Sequence, residues 1–119
     1  MNAHQMICHL NDSFRVGAGE KHASPAMNVL TRTAVRWIAL RMPLPWAHNL
    51  PTRPEIAQGR GGTPPADWNR DCGELREFIV SFSEREQFGV HPIFGAMSKS
   101  DWLIWGYRHV DHHLRQFGV

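Results

Sequence analysis

Four stretches of the chain carry apolar residues at a helical period, separated by turn residues. They cover residues 3–16, 25–42, 67–87 and 98–119. Possible capping boxes open the first stretch at Asn2 and the last at Ser98. Gly17 and Gly118 stand where these two helices should end. Alternating patterns typical of β-strands are weak throughout, so the helical period of these four stretches predicts an all-α protein.

A long loop is expected at residues 43–65, which show no period and hold six prolines and three glycines. Loops of this length inside a compact domain are usually functional or disordered. Trp46, Leu50 and Ile56 are large apolar side chains that a disordered linker tends to lack. We therefore expect an ordered loop that packs over the end of the helices, where a lid or a substrate wall would lie.

The last stretch places two histidines on its core-facing side. At about 100° per residue, one stripe is formed by Trp102, Trp105, Gly106, His109, His113 and Gln116. Two imidazoles one turn apart on a helix face can chelate a transition metal. The HExxH pattern of zinc peptidases is absent, because the position after His109 is Val110.

A third histidine faces inward on the first helix. Met6, His9 and Leu10 cluster on one side there, so His9 can meet His109 and His113 if the two helices pack side by side. Three imidazoles leave at least one coordination position open, as catalytic metal sites do. The alternative is that each histidine is a buried, hydrogen-bonded core residue.

Neighbouring residues have supporting roles in the metal hypothesis. Gln116 and Asp12 are candidates to orient an imidazole or a bound water, or else they make ordinary hydrogen bonds between helices. Trp102 and Trp105 would wall a substrate pocket together with the proline-rich loop. The other histidines lie off the stripe, near helix ends or in loops, and are not expected to be ligands: His4, His22, His48, His91 and His112.

Composition narrows the class of protein. A chain of 119 residues suits a single domain, residues 1–119, and 42% hydrophobic with 20% charged residues is typical of a soluble globular protein. The net charge of +2, without a basic run, argues against a nucleic-acid partner. No apolar stretch approaches ~18 residues, so no membrane partner is expected. Two cysteines and no signal-peptide pattern favour a reducing, cytoplasmic setting.

Several strings carry a family resemblance: HQMICHL and DSFR near the start, PLPWAHNLPTRPE in the middle, and HPIFG and YRHVDHHLRQFGV towards the end. Over essentially the whole chain they resemble the DinB-like superfamily, in a subfamily catalogued as a domain of unknown function. The resemblance implies a four-helix, up-and-down bundle in which three histidines bind a divalent metal. By position these are His9, His109 and His113.

The resemblance also implies an activity class. Characterised members of the superfamily include metal-dependent transferases and isomerases that act with low-molecular-weight thiols. The expected cofactors are therefore a divalent metal (zinc, nickel or iron) and a thiol cosubstrate, and the expected reaction on a small-molecule substrate is a transfer, an isomerisation or a hydrolysis. The alternative function is a non-catalytic interaction or stress protein whose histidines are structural.

One departure from the family fold concerns its first helix, which precedes the histidine-bearing helix in the superfamily. The chain begins at Met1, directly at the capping box, so either its start is placed too late or this helix is missing. A missing helix would expose an apolar strip beside the metal face. We therefore expect a homodimer or a poorly soluble chain.

Overall fold

The computed structural model describes residues 1–47 and 51–119. Four α-helices are present: α1 at Ala3–Gly17, α2 at Arg36–Arg41, α3 at Trp68–Glu84 and α4 at Lys99–Arg115. A π-helical segment at Thr31–Val35 continues directly into α2, and a 3-10 turn lies at Pro54–Ile56. These ranges contain no β-strand, so the predicted all-α class is confirmed, and the arrangement is consistent with a helical bundle.

The helix starts follow the capping residues of the sequence. The Asn2 side chain accepts a hydrogen bond from the Gln5 backbone at 2.8 Å, while Gln5 Oε1 accepts one from the Asn2 backbone at 2.9 Å. Ser98 Oγ caps α4 by accepting from the Asp101 backbone at 3.1 Å. These bonds satisfy backbone donors that a helix leaves free in its first turn, which fixes where α1 and α4 begin.

The core forms where α1 lies against α3 and α4. Leu10 and Trp102 are completely buried, and Phe82 of α3 packs edge to face on Phe14 of α1 with 4.9 Å between ring centroids. Gly17 permits this close approach, because a Cβ there would lie 2.9 Å from Phe82 Cζ. Packing of α1 against α4 brings the histidine-bearing faces of the two helices together.

The second helical stretch is shorter than its pattern predicts. Its turns start only after Asn28, whose side chain accepts from the Thr31 backbone at 2.9 Å, rather than near Pro25. The preceding backbone is held elsewhere, since Ala26 N donates to Pro92 O at 2.7 Å. The expected start was wrong: Asn28 caps the first turn, and the backbone before it is held by Pro92, which is distant in sequence.

The apolar residues of this stretch are largely exposed. Val29 is 70%, Leu30 66%, Trp37 59% and Ile38 55% exposed, whereas Leu40 is buried. An apolar surface of this kind is a common feature of protein interfaces. That a second copy of the chain covers it stays a prediction.

The proline-rich loop is packed on the helices in its described parts. Trp46 Nε1 donates to Ala39 O at 2.8 Å, and Ile56 is buried. Thr63 donates to the carboxylate of Asp12 from its backbone at 2.7 Å and from its hydroxyl at 2.8 Å. The loop is therefore ordered there, as predicted, while Leu50 and His48 lie outside the described residues.

None of the helices in the two described ranges is both long enough and apolar enough to cross a lipid bilayer.

Candidate metal centre

Three imidazoles converge between α1 and α4. The ring of His9 lies 5.3 Å from that of His109 and 4.8 Å from that of His113, measured between centroids. His109 and His113 are one turn apart on α4, and their Nε2 atoms are 3.1 Å apart. One nitrogen from each ring falls within 4.8 Å of the other two. Zn–N bonds of about 2.0–2.1 Å in a tetrahedral site place ligand nitrogens roughly 3.3 Å apart, so the spacing fits such an ion.

Two of the rings are oriented by acceptors behind them. His9 Nδ1 bonds to Ile56 O at 3.0 Å, and His113 Nδ1 bonds to Gln116 Oε1 at 3.0 Å. Because a carbonyl oxygen only accepts, Nδ1 carries the proton in both rings and Nε2 presents a lone pair. Metal-binding histidines usually have an acceptor in this position. Trp105 packs on the third ring, that of His109, with 5.0 Å between centroids.

Burial keeps these imidazoles uncharged. It lowers the pKa of His113 to about 4 and lowers the pKa of His9. Burial, together with the neighbouring imidazoles, lowers the pKa of His109 well below its usual value. Neutral imidazole is the form that binds metals, so the ligand set is ready for an ion at neutral pH. The cluster contains three nitrogens and no carboxylate.

A cavity of about 1100 Å³ opens beside the three histidines. Its walls come from α1, the π-helical segment, α2, the proline-rich loop, residues 91–94 and α4. They are mostly apolar; among the lining residues are Ile38, Ala39, Met42, Leu44, Trp46, Ile56, Ile93, Phe94, Trp102 and Trp105. No Asp or Glu is found among the described residues that line it, and Arg53 is its one charged side chain there. The cavity therefore suits a small, largely apolar molecule without a positive charge.

His91 adds a polar group with a fixed proton to the cavity wall. Its Nδ1 accepts from the backbones of Ile93 at 3.1 Å and Phe94 at 3.0 Å, so the proton of the neutral ring lies on Nε2. Burial lowers the pKa of His91 to about 3. Paired backbone bonds of 3.0 Å between His91 and Gly95 close the turn, and Gly95 adopts a φ of +78° that favours glycine. His91 is thus a neutral, rigid hydrogen-bond donor.

The sequence profile of a family described as "Protein of unknown function (DUF1569)" matches residues 2–118. The chain belongs to this family. No curated protein and no solved structure matches it.

The structure brings together most of the residues that the sequence singled out. His9, His109 and His113 meet, Gln116 bonds His113, and both Trp102 and Trp105 line the cavity. Asp12 has a different set of bonds. Its buried carboxylate accepts from Thr63, binds Arg15 at 2.8 Å and pairs with Lys21 at 3.2 Å, and so it ties the loop to α1.

Sequence reasoning missed the roles of two other histidines. His91 is buried and lines the cavity, although it lies in a short connection without a period. His4 bonds Asp71 at 2.8 Å across 67 positions of sequence. The His-Pro pair followed by Gly95 was the one local sign of a tight turn around His91, and no local sign marks the partner of His4.

Proposed function

We propose that this DUF1569 protein binds a divalent transition metal through His9, His109 and His113 and uses it on a small, largely apolar substrate. The observation that carries the proposal is the convergence of three neutral imidazoles, those of buried His9 and His113 and of half-buried His109, at the wall of a large cavity. Zinc, nickel and iron(II) all suit such a nitrogen donor set.

When bound, the metal supplies Lewis acidity to a water or a thiol at its open position. The protein's own residues do the rest. Trp102 and Trp105 form an apolar wall that excludes water from the histidine cluster. His113 and His9 are held in one tautomer by Gln116 and Ile56, so that their Nε2 atoms stay unprotonated.

The substrate also needs a hydrogen-bond acceptor. The imidazole of His91 forms part of the cavity wall. Its Nδ1 already accepts from two backbone N–H groups, so its Nε2–H is the donor that the ring offers to a substrate. Buried donors are normally paired. We therefore expect a carbonyl, ether or similar oxygen on the substrate to accept from His91.

We further propose that the family is a branch of the DinB-like superfamily and that a low-molecular-weight thiol is the cosubstrate. The resemblance of the histidine-bearing strings supports this assignment, and so does the nitrogen-only donor set, because borderline metals with imidazole ligands accept thiolates readily. The reactions to screen are thiol-dependent transfers and isomerisations, followed by hydrolyses. Turnover should require the metal and disappear in His109→Ala.

Elemental analysis of protein purified without a histidine tag tests the metal proposal. We expect divalent metal at or above one equivalent per chain, and a loss of about one equivalent in His109→Ala. His22→Ala is the matched control, since His22 is exposed, and it should retain all the metal. Protein without metal that also takes up none on addition would contradict the proposal and favour histidines that are only structural.

A further inference from the structure

A second group of metal-ligating side chains lies between α1 and α3. His4 and Cys8 are one turn apart on α1, and Asp71 faces them from the start of α3. His4 Nε2 lies 2.8 Å and Cys8 Sγ 3.7 Å from Asp71 Oδ2. All three ligand atoms lie within 4.8 Å of one another. The group shares no residue with the three-histidine cluster, and none of its members lines the cavity.

The spacing of these atoms fits a tetrahedral ion. Zinc bonds nitrogen and carboxylate oxygen at about 2.0–2.2 Å and thiolate sulfur at about 2.3 Å, which places such ligands roughly 3.3–3.7 Å apart. The distances of 2.8 and 3.7 Å to Asp71 Oδ2 bracket that range. Small movements of side chains would therefore complete the site, without movement of the helices.

The carboxylate is held by other groups in the orientation that the site needs. Arg70 donates from Nε at 3.2 Å and from Nη2 at 3.0 Å to Asp71 Oδ1, which leaves Oδ2 directed at His4 and Cys8. The Ala66 backbone donates to Oδ2 at 3.2 Å, and one lone pair of that oxygen remains for an ion. Asp71 and Cys8 are 4% and 3% exposed, whereas His4 is half-buried and leaves one side open to water.

The charges of the group also suit a divalent cation. Burial acts to raise the pKa of Asp71, but the hydrogen bonds from His4, Ala66 and Arg70 outweigh this effect and hold the pKa below its usual value. The carboxylate is therefore ionised. The Cys8 thiol is buried beside this carboxylate, with Sγ 3.7 Å from Asp71 Oδ2. One carboxylate and one thiolate then balance the two charges of the ion.

We propose that His4, Cys8 and Asp71 form a second binding site, for a divalent ion of the zinc class that accepts thiolate, imidazole and carboxylate ligands together. On binding, the Cys8 S–H bond breaks, an S–metal bond forms and the proton passes to solvent. Water from the open side completes the coordination. The site is independent of the proposed function, because its ligands lie on the seam of α1 and α3 rather than on the cavity.

Titration of metal-free, untagged protein with Co²⁺ tests the second site. A thiolate ligand gives an intense sulfur-to-cobalt charge-transfer absorption in the near ultraviolet, which imidazole ligands lack. We expect the protein to bind two equivalents of Co²⁺. Only one of the two should give the charge-transfer band, and binding of that equivalent should release one proton. Cys8→Ser should lose the band and one equivalent, whereas Cys72→Ser, the matched thiol control, should keep both.

Two further variants keep the test decisive. His4 is half-buried near the start of α1, so His4→Ala should fold even if Cys8→Ser does not, and it should lower the affinity of the thiolate site by more than 100-fold. His109→Ala should lose the other equivalent and keep the band, so the two sites fail separately. Absence of a thiolate band, or a band in His4→Ala that saturates at the same Co²⁺ concentration as in the wild type, would show that the group only ties α1 to α3.

Discussion

The two sides of α1 carry side-chain clusters that are built alike but differ in charge and surroundings. Each cluster has two side chains of metal-binding types one turn apart on one helix and a third from another helix: His109 and His113 with His9, and His4 and Cys8 with Asp71. The first cluster holds only neutral nitrogens and faces a cavity of about 1100 Å³. The second holds a carboxylate and a thiol and lies away from the cavity.

This difference separates a site for chemistry from a site for stability. The Asp71 carboxylate, which Arg70 and the Ala66 backbone hold in place, joins α3 to α1 through hydrogen bonds from His4 and Cys8 even without an ion. The three imidazoles make no charged contact with the scaffold and have an open side towards the cavity. We infer that an ion among the imidazoles would be available to a substrate, whereas an ion beside Cys8 would be structural.

The largest expected effect is on metal affinity at the imidazole cluster. His113→Ala removes one of three ligands, and changes in the outer shell alone typically weaken metal sites 10–100-fold, so we expect a loss of more than about 100-fold. Competition with a chromophoric chelator measures it. Cys8→Ser should leave this affinity unchanged. An equal loss in both variants would mean that the two clusters are not separate sites.

The next effect concerns the free energy of unfolding of metal-free protein. Asp71→Ala leaves Cys8, the Ala66 N–H and Arg70 without their acceptor and should cost about 3 kcal/mol. His113→Ala, beside the cavity, should cost about 1 kcal/mol or less. Urea denaturation followed by circular dichroism measures both. A greater cost for His113→Ala would reverse the division into a stabilising and a functional cluster.

A moderate effect is expected at Gln116, which orients His113 from outside the cluster. Gln116→Ala removes the acceptor of His113 Nδ1–H and should weaken metal binding about 10-fold to 100-fold, with little change in stability. Arg115→Ala is the control, because Arg115 is exposed and its ion pair with Asp111 lies on the helix surface. If metal affinity stayed at the wild-type level in Gln116→Ala, Gln116 would have no part in the site.

A further expected effect is a pH dependence of the free energy of unfolding, which comes from His91. Its pKa is about 3 in the folded protein against an ordinary value of 6.5, so between these values the unfolded chain binds a proton that the folded chain does not. Stability from this residue is therefore fully present above about pH 6.5 and is lost as the pH falls towards 3, by about 1.4 kcal/mol per unit.

The variant that tests this dependence is His91→Asn. The asparagine carbonyl can still accept from Ile93 and Phe94, and the side chain does not titrate. Denaturation of metal-free protein between pH 7 and 4 should show a shallower loss of stability in His91→Asn than in the wild type. Parallel curves would contradict the neutral, buried state of His91. The same variant should retain metal, because His91 is not among the converging ligands.

Features that depend on one helix at a time were accessible from the sequence. The caps at Asn2 and Ser98 and the 3.6-residue period fixed the limits of α1 and α4 to within a few residues, because these are local properties. The same periodicity placed His9, His109 and His113 on inward faces. On the assumption that α1 and α4 are neighbours, the three histidines were then expected to lie close together.

Features that depend on contacts between distant segments were not accessible. Asp12 bonds Thr63 across 51 positions, and His4 bonds Asp71 across 67, and neither pairing leaves a local pattern. His91 lies in an aperiodic connection, and its burial comes from packing against Phe94 at 4.4 Å and against the tryptophans of α4. The second helix likewise begins later than its pattern predicts, and the backbone before it is held by the distant residue Pro92.

The most direct measurement for the imidazole site is anomalous diffraction at the zinc edge from crystals of untagged protein grown with Zn²⁺. A metal site predicts a strong peak about 2.0–2.1 Å from the Nε2 atoms of His9, His109 and His113. A map without a peak among these three rings, whatever it shows beside Cys8, would contradict the account.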